Sequence, residues 1–301
     1  MIISASRRTD IPAFYAKWFM NRIREGYCTV PNPFNPKQIS RISLKPDDVD
    51  VIVFWTRYAR PLLPFLNELN ERGYRYYFLN TLMNNPRVLD PKSPSHKRSL
   101  NTFLELSHRM GKEKVVWRYD PIVFCSKTDT NFHKEAYHCI AEKLKGYTNR
   151  SIISIVDIYR KTAKRLHLLE NRGIQITEPA RNELNNLMKS LSISAKENGM
   201  EIQSCAEKPN ISLHGIPSGK CIDDELIRRI FGLDGVRRKD PSQRSACRCV
   251  VSRDIGMYDT CLFGCVYCYA TAGFDHARER HRNSDLTSPS LTGRHGDCHG
   301  L

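Results

Sequence analysis

Six times between residues 2 and 232 a short apolar run is followed by a stretch with helical spacing. The strand-like runs are IISAS (2–6), VDVIVFWT (49–56), YRYYFLNTL (74–82), KVVWRYDP (114–121), SIISIVDIY (151–159) and MEIQSCAE (200–207). The helical stretches that follow them are 13–26, 61–73, 94–111, 133–146, 177–199 and 223–232. Local chemistry marks their ends. Ser95 stands where an N-cap is needed, Pro179 sits early in its stretch, where a missing N–H matters little, and Gly73, Gly111 and Gly199 stop theirs. Strands alternating with helices favour a parallel sheet, because each crossover returns the chain to the same edge. The expected fold class is α/β: a six-unit partial TIM-like (β/α) barrel over residues 1–240. A cysteine-rich segment over 241–272 is expected to pack on it, with 273–301 as a mobile tail poor in apolar residues.

The barrel is preferred to a doubly wound sheet because of what stands at the strand exits. In such barrels chemistry gathers at the C-terminal ends of the strands. Here those ends carry Arg7-Arg8-Thr9-Asp10, Thr56-Arg57, Asn80-Thr81, Arg118-Tyr119-Asp120, Asp157 and Cys205-Ala206-Glu207. Arg7, Arg8, Asp10, Arg118, Asp120 and Glu207 are therefore the candidate catalytic residues. Each is also the kind of residue that caps a helix or closes a turn.

Charge narrows the partners. Lys and Arg number 47 against 32 Asp and Glu, a formal net charge of +15, with most of the excess in residues 1–150. Such an excess concentrates anions and suits nucleic acid or an anionic small-molecule substrate. The first residues lack the long apolar core of a secretory signal, and no window reaches the roughly 18 apolar residues of a membrane span. The expectation is a cytoplasmic protein with no membrane partner. Eleven cysteines in a reducing compartment then point to metal or redox chemistry, not to disulfides.

Three of those thiols crowd into CLFGCVYC: Cys261, Cys265 and Cys268, spaced C-x₃-C-x₂-C. Three thiolates can hold three corners of a [4Fe–4S] cluster and leave one iron open to an outside ligand. The pattern C-x₃-C-x-aromatic-C, with Tyr267 as the aromatic, resembles the signature loop of radical S-adenosylmethionine enzymes. Zinc is the alternative occupant, with Cys247 or Cys249 as a fourth ligand. A second group, Cys205, Cys221, Cys247 and Cys249, contains a C-x-C pair and has the donors for an auxiliary Fe–S cluster or a structural zinc site. Cys28, Cys125 and Cys139 stand alone.

Several longer blocks carry a family resemblance. SASRRTDIPAFY (4–15), VFWTR (53–57), WRYDPI (117–122), SCAEKPN…GI…GKCID (204–223) and C-x-C-x-x-S-R-D-I-G-x-Y-x-x-C-x-x-x-C-x-Y-C-Y-A (247–270) are similar to the DUF1848 family of bacterial and archaeal proteins. The resemblance covers about residues 1–270 and implies a C-terminal cysteine cluster similar to that of radical S-adenosylmethionine enzymes. Here the motif follows the sixth strand instead of the first. FWTR (54–57) stands where a Gly-Gly-Glu segment is usual.

The implied cofactor is a zwitterion at its methionine end. Its carboxylate calls for a guanidinium, from Arg118, Arg57, Arg7 or Arg8, and its ammonium for an acceptor, Asp120 or Glu207. Three functional readings follow. The first is a radical S-adenosylmethionine enzyme that needs an electron donor. The second is a zinc-stabilised nucleic-acid-binding protein without redox chemistry. The third is an iron–sulfur protein that transfers or senses electrons with no radical step.

Overall fold

The structure is a computed structural model that describes residues 1–207, 215–234 and 238–293. The described chain divides into two compact units. The first comprises Met1–Tyr76, Ser252–Gly264 and the described residues from Ala270 onward, and the second Tyr77–Val251 and Cys265–Tyr269.

In the first unit, β1 (Ile2–Ala5) is followed by the short α1 (Ile11–Phe14) and by α2 (Ala16–Glu25). The one helix expected over 13–26 is thus broken at Tyr15. Helix α2 ends at Gly26, whose φ of 76° favours a residue without a Cβ. Trp18, Phe19, Met20 and Ile23 of α2 are buried. The Phe19 ring meets Phe54 of β4 (Val51–Thr56) edge to face, with centroids 5.3 Å apart. An antiparallel ribbon, β2 (Tyr27–Asn32) and β3 (Asn35–Ser43), separates α2 from β4. Its prolines mask the strand pattern in the sequence. Helix α3 (Leu66–Glu71) follows β4, and the two-residue β9 (Arg253–Asp254) pairs parallel with β1.

The second unit repeats strand and helix: β5 (Tyr76–Thr81, its first residue in the other unit), α4 (His96–Met110), β6 (Val115–Ile122), α5 (Thr130–Leu144), β7 (Arg150–Ile155), α6 (Arg160–Glu170), α7 (Arg181–Glu197), β8 (Glu201–Ser204) and α8 (Asp224–Phe231). Ser95 caps α4 as expected, and Asp129 and Asp223 cap α5 and α8 by accepting backbone N–H groups. Trp117 of β6 stacks on Tyr137 of α5 at 4.6 Å. His133 accepts from Tyr119 at 2.8 Å and donates to the Val123 carbonyl at 3.1 Å, and burial lowers its pKa to about 4. It is a neutral core residue.

In the first unit β9, β1 and β4 pair in parallel in that order, and in the second β5, β6, β7 and β8 do; among the described residues no sheet closes on itself. The six expected strands are present, and β9 adds a seventh. Only four bonded positions of β8 survive of the eight-residue run at 200–207.

Residues 273–301 look like a mobile tail in the sequence, but the described part is folded. Phe274–Arg282 is a helix, α9, and Ser288, Ser290 and Leu291 are buried. The segment is held mainly by its own carbonyls, a contribution that hydropathy does not register. Trp18 Nε1 donates to Ser288 O at 2.9 Å, Arg22 to Thr287 O at 3.0 Å, and the Thr29 N–H to Pro289 O at 2.8 Å. Cys298, the last of the eleven cysteines, lies outside the described residues. Truncation after Gly273 is expected to lower the melting temperature by about 6–12 °C, from roughly 3 kcal/mol of lost burial and bonding. Unchanged melting in a thermal scan would mean that the segment contributes no stability. Among the described residues, no helix is long and apolar enough to cross a membrane.

Candidate functional site

Each unit gathers its own set of the residues singled out above. In the first, the exit of β1 is organised by Asp254. Ser4 pairs with Asp254 in the β1–β9 register, which brings the carboxylate alongside the strand end. It accepts from Ser4 Oγ at 2.8 Å, Ser6 Oγ at 2.7 Å, Arg7 N at 2.8 Å and Gly256 N at 3.0 Å. The Arg7 guanidinium lies 5.1 Å over the Trp55 ring and donates to Ser252 Oγ at 3.3 Å. That of Arg8 lies 5.4 Å over Tyr258 and donates to Gly256 O at 3.4 Å.

Asp10 joins two strand exits. It caps α1 through Ala13 N at 3.0 Å and accepts from Arg57 N at 2.7 Å, linking the exits of β1 and β4. Burial pushes its pKa up to about 7, against the pull of the Arg57 and Ala13 amides, the Thr56 hydroxyl and the Arg57 charge. Cys261 is half-buried in this unit. The Tyr15 hydroxyl, which donates to Thr260 O at 2.9 Å, is pushed up by burial and then by Cys261.

In the second unit the exits of β6, β7 and β8 meet. Arg118 and Asp120 alternate onto one face of β6 and form an ion pair, Arg118 buried and Asp120 half-buried. The Ser154 hydroxyl on β7 donates to the other oxygen of Asp120. Glu207 accepts from Ile155 N at 2.7 Å, and burial, assisted by the charge of Asp120, raises its pKa to about 7. Burial disfavours a charge on Arg118, but the charge of Asp120 outweighs it, and the guanidinium is held charged.

The second cysteine group is drawn together at the same strand ends. Cys205 follows β8 directly, and its sulfur is 3.2 Å from that of Cys221. Cys221 also bonds Cys249, and Cys249 bonds Cys247. Contact with the neighbouring sulfurs and burial push the Cys221 thiol well up. Asp157, at another exit, pairs with Arg244.

The last part of the motif belongs to this unit as well. Val266 N donates to Leu89 O at 3.1 Å, and Tyr267 Oη to Asp90 Oδ1 at 2.6 Å. The motif's aromatic residue is thus a buried tether for the loop. Cys268 N donates to Cys265 O at 3.0 Å, closing a turn, and Arg165 donates to Cys268 O. Tyr269 leans on Tyr159 with centroids 6.0 Å apart.

Arg118, Asp120, Glu207 and Cys205 therefore stand together in one unit with Cys265 and Cys268, and Arg7, Arg8, Asp10, Arg57 and Cys261 belong to the other. Sequence reading passed over Asp254, Ser154 and Asp90. Asp254 was within reach, since it lies in the S-R-D-I-G block; Ser154 and Asp90 carry no local signal. Among the described residues, no three His, Cys, Asp or Glu side chains are already arranged to hold a metal ion. The donor type suits one: the cysteines of both groups are outside any disulfide, and thiolate sulfur is a ligand for thiophilic metals.

Neither a curated protein nor a solved structure matches the chain. The family described as Domain of unknown function (DUF1848) matches residues 2–270. That match runs from β1 through the cysteine loop to Ala270, and on its extent the chain belongs to the DUF1848 family.

Proposed function

We propose that the protein is an iron–sulfur enzyme of the radical S-adenosylmethionine type, with Cys261, Cys265 and Cys268 as the cluster ligands and an anionic substrate. The observation that carries this reading is the C-x₃-C-x-Tyr-C loop, whose Tyr267 is anchored on Asp90 and whose last two thiols share a unit with the Arg118–Asp120 ion pair. We take the parallel strands as a partial TIM-like barrel with its chemistry at the strand C-termini.

A [4Fe–4S] cluster held by Cys261, Cys265 and Cys268 would supply the electron for reductive cleavage of S-adenosylmethionine to methionine and a 5′-deoxyadenosyl radical. The chain's own residues bind and orient. Arg118 and Asp120 form a cation–anion pair complementary to an amino-acid zwitterion, and each can exchange its present partner for the opposite charge of the ligand. Glu207, with its raised pKa, is a second acceptor for the ammonium or a proton carrier at the same strand ends. Arg7, Arg8 and Arg57 supply positive charge for the substrate in the first unit.

Anaerobic purification with iron, sulfide and zinc analysis tests the reading, with EPR of the reduced protein. Cluster iron is expected, with a spectrum shifted by S-adenosylmethionine and lost in Cys265→Ala. A cluster spectrum indifferent to S-adenosylmethionine would leave electron transfer without a radical step. Zinc in place of iron would favour the rival reading, a zinc-stabilised nucleic-acid-binding protein, for which the net charge of +15 speaks. Its affinity for nucleic acid would then fall steeply with salt.

A further inference from the structure

We propose that Cys205, Cys221, Cys247 and Cys249 form a second metal centre, closed by four protein thiolates, that holds the strand ends around Arg118 in place. It would take Zn²⁺ or the irons of a cluster, since both are thiophilic and both accept four thiolates. This inference stands independently of the cofactor proposed for the Cys261 loop.

Three separate stretches of chain bring the four sulfurs into one place. Cys205 comes from the end of β8, Cys221 from the turn that leads into α8, and Cys247 and Cys249 from the C-x-C turn. Their sulfurs run in a chain of contacts: Cys205 to Cys221 at 3.2 Å, Cys221 to Cys249, Cys249 to Cys247. Cys221 is 1% exposed, Cys249 2% and Cys247 7%, and Cys205 is half-buried. A packed core has little use for four adjoining thiols, because a small apolar side chain fills the same space without a buried polar atom.

Backbone around the group is fixed for it. Ile222 N points at Cys249 Sγ at 3.4 Å, an N–H that stabilises a thiolate. Val250 N donates to Ile222 O at 3.2 Å, and Asp240 N to Cys249 O at 2.9 Å, so the two turns that carry three of the ligands are bonded together. Arg118 lies within electrostatic reach of Cys221 and Cys205, and a tetrathiolate centre around a divalent ion carries two negative charges for it to oppose. A metal binds such thiols as thiolates, displacing their protons. Four protein ligands leave no open position, so the role is structural, unlike that of the three-thiol loop.

The test uses the full chain with Cys261, Cys265 and Cys268 all changed to Ala, which removes the first site and leaves the second. Metal analysis is expected to find about one zinc per chain, or about four irons with sulfide. Iodoacetamide labelling mapped by mass spectrometry is run beside it on the unaltered protein, before and after treatment with a strong chelator. Cys205, Cys221, Cys247 and Cys249 are expected to be protected before chelation and labelled after it, with exposed Cys139 labelled throughout. Zinc and iron outcomes both support the centre and say which metal fills it. A metal-free triple variant, together with labelling at the four thiols that chelation does not change, would overturn it. If only the first site fails, the triple variant still carries metal and the unaltered protein shows no response to S-adenosylmethionine.

Discussion

Asp254→Ala is expected to lower the unfolding free energy by about 4 kcal/mol or more, among the largest effects of any single substitution outside the hydrophobic core. The carboxylate accepts four bonds, from Ser4 Oγ, Ser6 Oγ, Arg7 N and Gly256 N, all between 2.7 and 3.0 Å. Bonds to a charged group contribute roughly 1.5–3 kcal/mol each, and removing the shared acceptor strands every donor at once. Asp254→Asn keeps one oxygen and should lose about half as much. Gly256→Ala offers an independent check on the same corner. A Cβ there would sit 1.9 Å from Ser6 Oγ and 2.5 Å from Ser6 Cβ, so Ser6 must move off Asp254. Urea unfolding of the three variants decides the matter. A loss within about 1 kcal/mol for Asp254→Ala would mean that water replaces the carboxylate and that the corner is not held by it.

The second large effect is a pH dependence. Asp10 has a pKa of about 7 in the folded chain against 3.8 when unfolded, mainly because it is buried. Between those values the folded state holds a proton that the unfolded state has released. Its contribution to stability is therefore complete below about pH 4 and is lost as pH rises through 7, by about 4 kcal/mol in all. The sign is opposite to that of an ion-paired carboxylate. Asp10→Asn, which cannot titrate, should remove this part of the slope, so the difference between parent and variant should shrink or reverse at higher pH. Denaturation series at pH 5, 6, 7 and 8 on both proteins measure it. Parallel curves would show that Asp10 is ionised in the fold, with the Arg57 and Ala13 amides enough to hold its charge.

Most of the parallel strands were legible because they are buried on both faces and read as unbroken apolar runs, VIVFWT being the clearest. The ribbon β2–β3 was not, since Pro31 and Pro36 lie within its strands and residues from Asn35 on are mostly exposed. Helix α6 and helix α9 escaped for another reason. RKTAKRLHLLE and FDHARERHR are so polar that their short buried stripes, Leu166 and Leu169 in one and Ala277 in the other, hardly register. At the candidate site, the residue types that ligate metals or carry charge were legible one by one. Their grouping was not. The pairing of Arg118 with Asp120 follows from strand alternation, but the link from Tyr267 to Asp90 spans 177 positions and only the folded backbone supplies it.

The order in which the chain is made bears on the first unit. Its strand β1 emerges first, and the partner that completes it, Asp254 on β9, comes 250 residues later than Ser4. Such distant contacts close slowly, because a long loop must be ordered before they form. The second unit, Tyr77–Val251 with Cys265–Tyr269, has nearly all its residues in hand before β9 leaves the ribosome. During synthesis the exit of β1, with Arg7 and Arg8, waits without its carboxylate. A nascent chain stalled before Ser252 should therefore offer proteases an open N-terminal segment beside a folded middle, and protection of both arginines should arrive together with the last fifty residues.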